Sequence, residues 1–177
     1  MSVLIWILIG IGGFYLLMVI TGMFLPRYVH VERSIEINAR AQEIYPYMES
    51  LRKWQEWSPW VEKDPNMQHT FEGPETGAGA IHRWKGNKNV GFGYLVITAA
   101  YPFEKIEYDL FFGRSRKPGK VSWHLKEMGD HTIATWIMHN DMGYNFPGRI
   151  FGVFFDRMLG PDYEKGLANL KKLVEKK

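Results

Sequence analysis

GYLVITAAYPFEKIEYDLFFGRSRKPGKVSWHLKEMGDHTIATWIMHNDM, residues 93–142, holds four β-like runs cut by turn residues. GYLVITAAY stops at Pro102, KIEYDLFF at Gly113 and KVSWHLKEM at Gly129-Asp130, and HTIATWIMHNDM closes the set. Runs of this kind, bounded by Gly, Pro, Asn and Asp, read as an antiparallel meander. Parity sorts their side chains. Ile106, Tyr108, Leu110 and Phe112 share one face, as do Val121, Trp123 and Leu125, and Thr132, Ala134, Trp136 and Met138.

Working outward, MQHTFEG (67–73) is followed by Pro74, and GAGAIHRW (77–84) by the turn Lys85-Gly86-Asn87, with Ala80, His82 and Trp84 on one face. YVHVERSIEI (28–37) alternates with Val29, Val31, Ile35 and Ile37 on one side, a half-buried strand. The expected sheet therefore has about seven strands. AQEIYPYMESLRKWQEW (41–57) has helical spacing at Ile44, Met48 and Leu51, with Pro46 bending or dividing it, and Ser58-Pro59 ends the region. FPGRIFGVFFDRMLGPDYEKGLANLKKLVEKK (146–177) is helical, and Gly160-Pro161 interrupts it, predicting two collinear helices or one kinked helix. Asp162 and Glu164 suit the first turn of the second part. The order predicts an α+β domain in which a curved sheet wraps a long C-terminal helix.

Of 177 residues, 46% are hydrophobic and 23% charged, which suits a packed core. No cysteine is present, which excludes disulfides, thiolate metal sites and a cysteine nucleophile. A net charge of +3 gives no argument for nucleic acid. The charge is uneven: all 22 basic and 19 acidic residues follow Pro26. SVLIWILIGIGGFYLLMVITGMFL (2–25) carries none and is long enough to cross a hydrocarbon core of roughly 30 Å. No Lys or Arg precedes it, and it ends in Met23-Phe24-Leu25-Pro26 rather than a small-residue cleavage site, so an anchor is favoured over a cleaved signal. Residues 1–26 are read as a transmembrane anchor and 27–177 as one domain. Arg27 and Arg33 after the span place that domain in the cytoplasm by the positive-inside rule. Gly10, Gly12 and Gly13 form no GxxxG and read as ordinary helix glycines.

RSIEINA (33–39), KWQEWSPWVEKDPNM (53–67), EGPETGAGAIHRWKGN (72–87) and GPDYEKGLANLKKL (160–173), in this order of elements, resemble the START-like SRPBCC superfamily, the helix-grip fold. The resemblance is nearest to its polyketide cyclase/dehydrase and lipid transport type and covers about residues 28 to 177. It implies a deep apolar cavity between sheet and C-terminal helix. Members bind lipids, sterols or polyketides, and a minority catalyse cyclisation or dehydration. Shared fold is not shared function.

Trp54, Trp57 and Trp60 take three of the seven tryptophans. They read as core that plugs the open end of the grip, as the mouth of a pocket, or as a headgroup contact. The ligand-binding candidates are Trp54, Trp57, Trp60, Trp84, Tyr108, Phe112, Trp123, Trp136, Phe154 and Met158. An apolar wall of this kind is how small-molecule sites are built, and a filled core is the other reading. His82, Arg33 and Tyr108 are weak catalytic candidates, because polar groups on apolar faces need a partner or a task. Arg33 also reads as a structural ion pair and His82 as a hydrogen-bonded core histidine. In His139-Asn140-Asp141, strand parity separates Asn140 from its neighbours. The six histidines show no metal spacing, TGAGA (76–80) precedes a strand rather than a helix, and GxSxG is absent. No cofactor is expected.

GRSRKPGK (113–120) gathers Arg114, Arg116, Lys117 and Lys120 in one hairpin, either solvated or facing anionic lipid. The expected function is membrane-tethered binding of a lipid or lipid-like metabolite, with Gly160-Pro161 and the tryptophan region as candidate gates. The alternatives are a cyclase/dehydratase using the same cavity and an accessory module of a membrane complex.

Overall fold

A computed structural model describes residues 3–176; Met1, Ser2 and Lys177, within the spans assigned above, lie outside the described residues. Every expected strand is present: β1 Tyr28–Ile37, β2 Gln68–Glu72, β3 Ile81–Lys85, β4 Phe92–Tyr101, β5 Lys105–Phe112, β6 Gly119–Met128 and β7 His131–Asp141. They form one antiparallel sheet in the order β1-β7-β6-β5-β4-β3-β2. Consecutive strands from β2 to β7 are neighbours, as a meander requires, and β1 closes onto β7. A register shift between Ile97 and Ala99 marks a bulge in β4 against β5, a device that bends a sheet.

The register lines up side chains in rows across the concave face. One row runs Ile106, Trp123, Trp136, Arg33; the next runs Ile97, Tyr108, Val121, Met138, Val31. Then come Phe71, His82, Leu95 and Leu110, and last Trp84, Gly93 and Phe112. This last row lies toward the end of the sheet where β1 begins and β7 finishes.

The helices are α1 Val3–Met23, α2 Ala41–Glu49, α3 Pro59–Lys63, α4 Phe146–Gly152 and α5 Phe155–Glu175, with a short 3-10 helix at Lys53–Glu56. Two expected breaks fall elsewhere. Pro46 stays inside α2, whose last turn closes with Ser50 N–H donating to the Pro46 carbonyl, and the break comes at residues 50–52. Gly160-Pro161 does not divide the C-terminal helix either, which corrects the expectation of two collinear helices meeting there. The break lies at Val153-Phe154, where Phe154 N–H tightens onto the Phe151 carbonyl. Just before it, α4 passes close to β1: a Cβ on Gly152 would stand 2.9 Å from Val29 Cγ2, so glycine is what fits there. Gly160 serves a different purpose. A Cβ there would lie 2.1 Å from Arg33 Nη2, so glycine admits the arginine beside the helix. Asp162 and Glu164 therefore sit within a continuous helix, bound to Lys63 and Arg33 respectively.

α5 runs along β1. Arg33 Nη1 meets Asp156 at 2.8 Å, Arg33 Nε meets Glu164 at 2.7 Å, and Asn38 N–H reaches Glu175 Oε1 at 2.7 Å. Tyr163, Leu167, Leu170 and Val174 bury the inner stripe of α5 against Trp136 and its neighbours. Burial of this kind supplies most of the stability of such a helix.

Candidate functional site

The tryptophan-rich segment is explained by the end of α2. A helix leaves its last carbonyls without partners. Here Trp57 Nε1 donates to the Tyr47 carbonyl at 3.1 Å, and Trp54 Nε1 donates to the Met48 carbonyl at 3.0 Å. Tyr108 Oη, from β5, donates to the same Met48 carbonyl at 2.8 Å. Three aromatic donors thus cap one helix while their rings enter the core. Trp54 and Trp57 are 5.1 Å apart by ring centroids; Trp57 sits edge-on to Trp123 and Trp136 at 5.5 Å. Trp123 stacks on Trp136 at 4.8 Å, and Trp136 on Tyr163 at 4.0 Å. Trp60, half-buried on α3, closes the group at 5.7 Å from Trp136. These rings fill the space between the middle of the sheet and α5. The indole N–H groups of Trp123 and Trp136 are buried there without a hydrogen bond.

The concave face changes character toward the last rows. Leu110 and Trp84 are only partly covered and Phe112 is 56% exposed. Trp84 lies flat over Gly93, where a Cβ would stand 2.7 Å from the indole ring. A hollow of about 390 Å³ is lined by Arg83, Trp84, Lys85, Phe92, Gly93, Tyr94 and Gly113; Trp84 and Gly93 belong to the concave rows, whereas Arg83, Lys85, Phe92 and Tyr94 alternate to the other face. A second cleft, about 330 Å³, lies between Leu51-Arg52 and the β2–β3 connection, with the Arg52 guanidinium 4.5 Å from the Phe71 ring. Phe154 and Met158, the helix candidates, are exposed at the break before α5 and on its first turn.

The three polar candidates do not converge. His82 is buried, stacked against Phe71, and shares a 2.9 Å hydrogen bond with His69 Nδ1. Burial, then the neighbouring His69, pushes its pKa down to about 4, so the ring is neutral at pH 7. Tyr108 is wholly enclosed, its hydroxyl held on Met48 and its pKa raised well above the usual value by burial. Arg33 is bound to Asp156 and Glu164 at the opposite edge of the sheet. His139 pairs with His30, and Asp141 forms a two-pronged bridge to Arg27, with both bonds 2.6 Å long. Among the described residues no group of three or more His, Cys, Asp or Glu is placed to hold a metal ion.

Sequence reading missed the arginine that matters most at this end. Arg149, on α4, is 9% exposed. Its guanidinium donates to the Gly143 carbonyl at 2.5 and 3.1 Å and to the Gly22 and Leu25 carbonyls at 3.5 and 3.4 Å. It thus seats a positive charge on the carbonyl end of α1, where the helix dipole is negative. Lone charge within an apolar stretch was the available clue: Arg149 is the one charged side chain between Asp141 and Asp156. The basic hairpin reaches the same end. Lys117 Nζ would lie 3.4 Å from a Cβ on Gly143. Lys120 is bound to Asp109 instead.

The curved antiparallel sheet gripping a long C-terminal helix defines a START-like helix-grip protein. A sequence profile of the family described as polyketide cyclase/dehydrase and lipid transport matches residues 28–175, and the chain belongs to that family. Solved structures share the fold at low identity. The Aha1 dimer from Colwellia psychrerythraea is 14% identical with a TM-score of 0.57, covering 81% of this chain and 96% of that one. A protein from Thermobifida fusca is 15% identical with a TM-score of 0.59, covering 83% and 93%. The di-domain ARO/CYC StfQ from the steffimycin biosynthetic pathway is 13% identical with a TM-score of 0.59, covering 84% of this chain and 51% of that one. Among curated proteins, no relative matches the chain by sequence. The remaining helix, α1, is long and apolar enough to cross a membrane, and none of its apolar window is buried in the rest of the molecule.

Proposed function

We propose that the chain is a membrane-anchored binding protein for a hydrophobic small molecule, a lipid or lipid-like metabolite, held on the concave face at the end nearest the anchor. Residues 1–26 are the anchor and 27–177 the binding domain. One observation carries the reading: Trp84, Leu110 and Phe112 remain partly open while the tryptophan cluster fills the middle of that face. Trp84 and Phe112 would contact the ligand, with Phe154 and Met158 at its rim. Trp54, Trp57, Trp60, Tyr108, Trp123 and Trp136 would form the floor. Covering apolar surface supplies about 25 cal/mol per Å² as driving force. The reading puts the domain in the cytoplasm; Arg27 and Arg33, which follow the span, and Arg149 at the end of α1 support it.

The test is native mass spectrometry of the full chain, purified gently from its host, with extraction of what it carries. The expected result is a discrete apolar adduct that Trp84→Ala and Phe112→Ala lose while both variants stay folded. If the wild-type chain carries no adduct and takes up neither fluorescent fatty acids nor sterols, the reading is wrong.

A further inference from the structure

The 21 residues of α1 extend roughly 31 Å, about the thickness of a hydrocarbon core, so a spanning α1 uses its whole length. Its last two turns are not free. Gly22 is buried, Met18 and Val19 are partly covered, and these positions lie on one side of the helix. The element packed there is α4: a Cβ on Gly22 would stand 2.0 Å from the Phe146 carbonyl oxygen, and Arg149 bonds the Gly22 carbonyl. Met18 lies about 8 Å before the end of α1 along its axis. A helix lying against that stretch is held at membrane depth.

The composition of the segment fits that position. From Met142 to Phe155 the one charged side chain is Arg149, and it is turned inward onto carbonyls. The outward side is apolar: Phe151 is 63% exposed, Val153 54%, Phe154 52% and Met158 67%. Asp156 and Arg157 are also exposed in this first turn of α5, Asp156 bound to Arg33, so the apolar residues form a patch rimmed by charge. An exposed apolar patch of this kind calls for an occupant.

We infer that this occupant is the bilayer itself: α4 and the first turn of α5 form an interfacial element that sinks Phe151, Val153, Phe154 and Met158 into the leaflet from which α1 emerges. Continuity with α1 fixes the depth. Charge complementarity fixes the surroundings, since Arg114, Arg116 and Lys117 stand at the same end of the sheet and face the headgroup layer. The inference rests on α1 spanning the membrane, as proposed above, and does not depend on the ligand. It sets the open rows of the concave face at the level of the lipid rather than out in solvent.

The absence of cysteine allows a direct test. Single nitroxide-labelled cysteines are placed at Phe151, Phe154 and Met158 of the full chain in nanodiscs of phosphatidylcholine and phosphatidylglycerol. Ile11, within α1, serves as the lipid reference. Asp130, at the far hairpin, serves as the aqueous one. The expected result is that all three labels are relaxed by oxygen and shielded from a water-soluble nickel chelate, as Ile11 is. Labels at 151, 154 and 158 that behave like Asp130 while Ile11 reads lipid would overturn the docking element and leave the span intact. An aqueous reading at Ile11 would overturn both. Shielding from both relaxants, with spin–spin broadening between chains, would assign the patch to a second copy and also overturn the inference.

Discussion

His82 and His69 face each other across a single hydrogen bond, so one ring nitrogen must donate and the other accept. Adding a proton to His82 would bury a charge in an apolar wall, and protonating both rings would set two donors against each other. Its folded pKa of about 4 lies below the ordinary histidine value near 6.5, so below pH 6.5 the unfolded chain binds a proton that the folded chain refuses. Stability is therefore full above pH 6.5, is lost as pH falls toward 4, and levels off below that. The whole effect is roughly 3 kcal/mol, with His69 shifted in the same direction. Unfolding midpoints measured from pH 7 to 4 should fall steeply for the wild type and much less for His82→Gln. An equal slope for both would rule the pair out. The inward parity of His82 was legible from alternation on its strand. Its partner was not, because His69 lies on another strand whose register no local pattern reveals.

At the scale of elements, the strands were readable because period-two alternation and Gly, Pro or Asp turns are local facts. Helix ends were less so. Pro46 and Pro161 are tolerated inside helices, while the real breaks lie beside tertiary contacts: Gly152 against Val29, and indoles waiting at the end of α2. The same limit applied to the site. The sequence showed which aromatics point inward, but whether their rings leave room depends on stacking between β6, β7 and α5. The capping role makes a prediction. Trp57→Phe keeps an aromatic ring but strands the Tyr47 carbonyl, and should cost about 1–3 kcal/mol in denaturant unfolding. Trp57→Ala adds a cavity and should cost about 3–5 kcal/mol. If Trp57→Phe proved neutral, the indole would be filler rather than a cap.

For the whole molecule, the decisive contact is the one between α4 and the last turn of α1. Arg149 joins three carbonyls that have no other side-chain donor among the described hydrogen bonds, two from the anchor end and one from the β7–α4 turn. Arg149→Leu should preserve the sheet, since α4 lies outside the core cluster. It should loosen the junction, read as faster amide exchange at residues 22–27 and 143–152 with the β-strands unchanged. Unchanged exchange there would mean the apolar contact alone holds the junction.

That junction also changes what kind of tether α1 is. A flexible leash lets its cargo tumble and sample every direction. Here the last turn of α1 is fastened to the body at Gly22, through the Phe146 backbone and the Arg149 guanidinium. If α1 spans the bilayer as proposed, a lean or roll of it in a thicker or thinner membrane carries the far hairpin at Gly129-Asp130 with it. With α1 spanning a bilayer, as proposed above, the domain becomes a pointer on its anchor, and the membrane sets its heading.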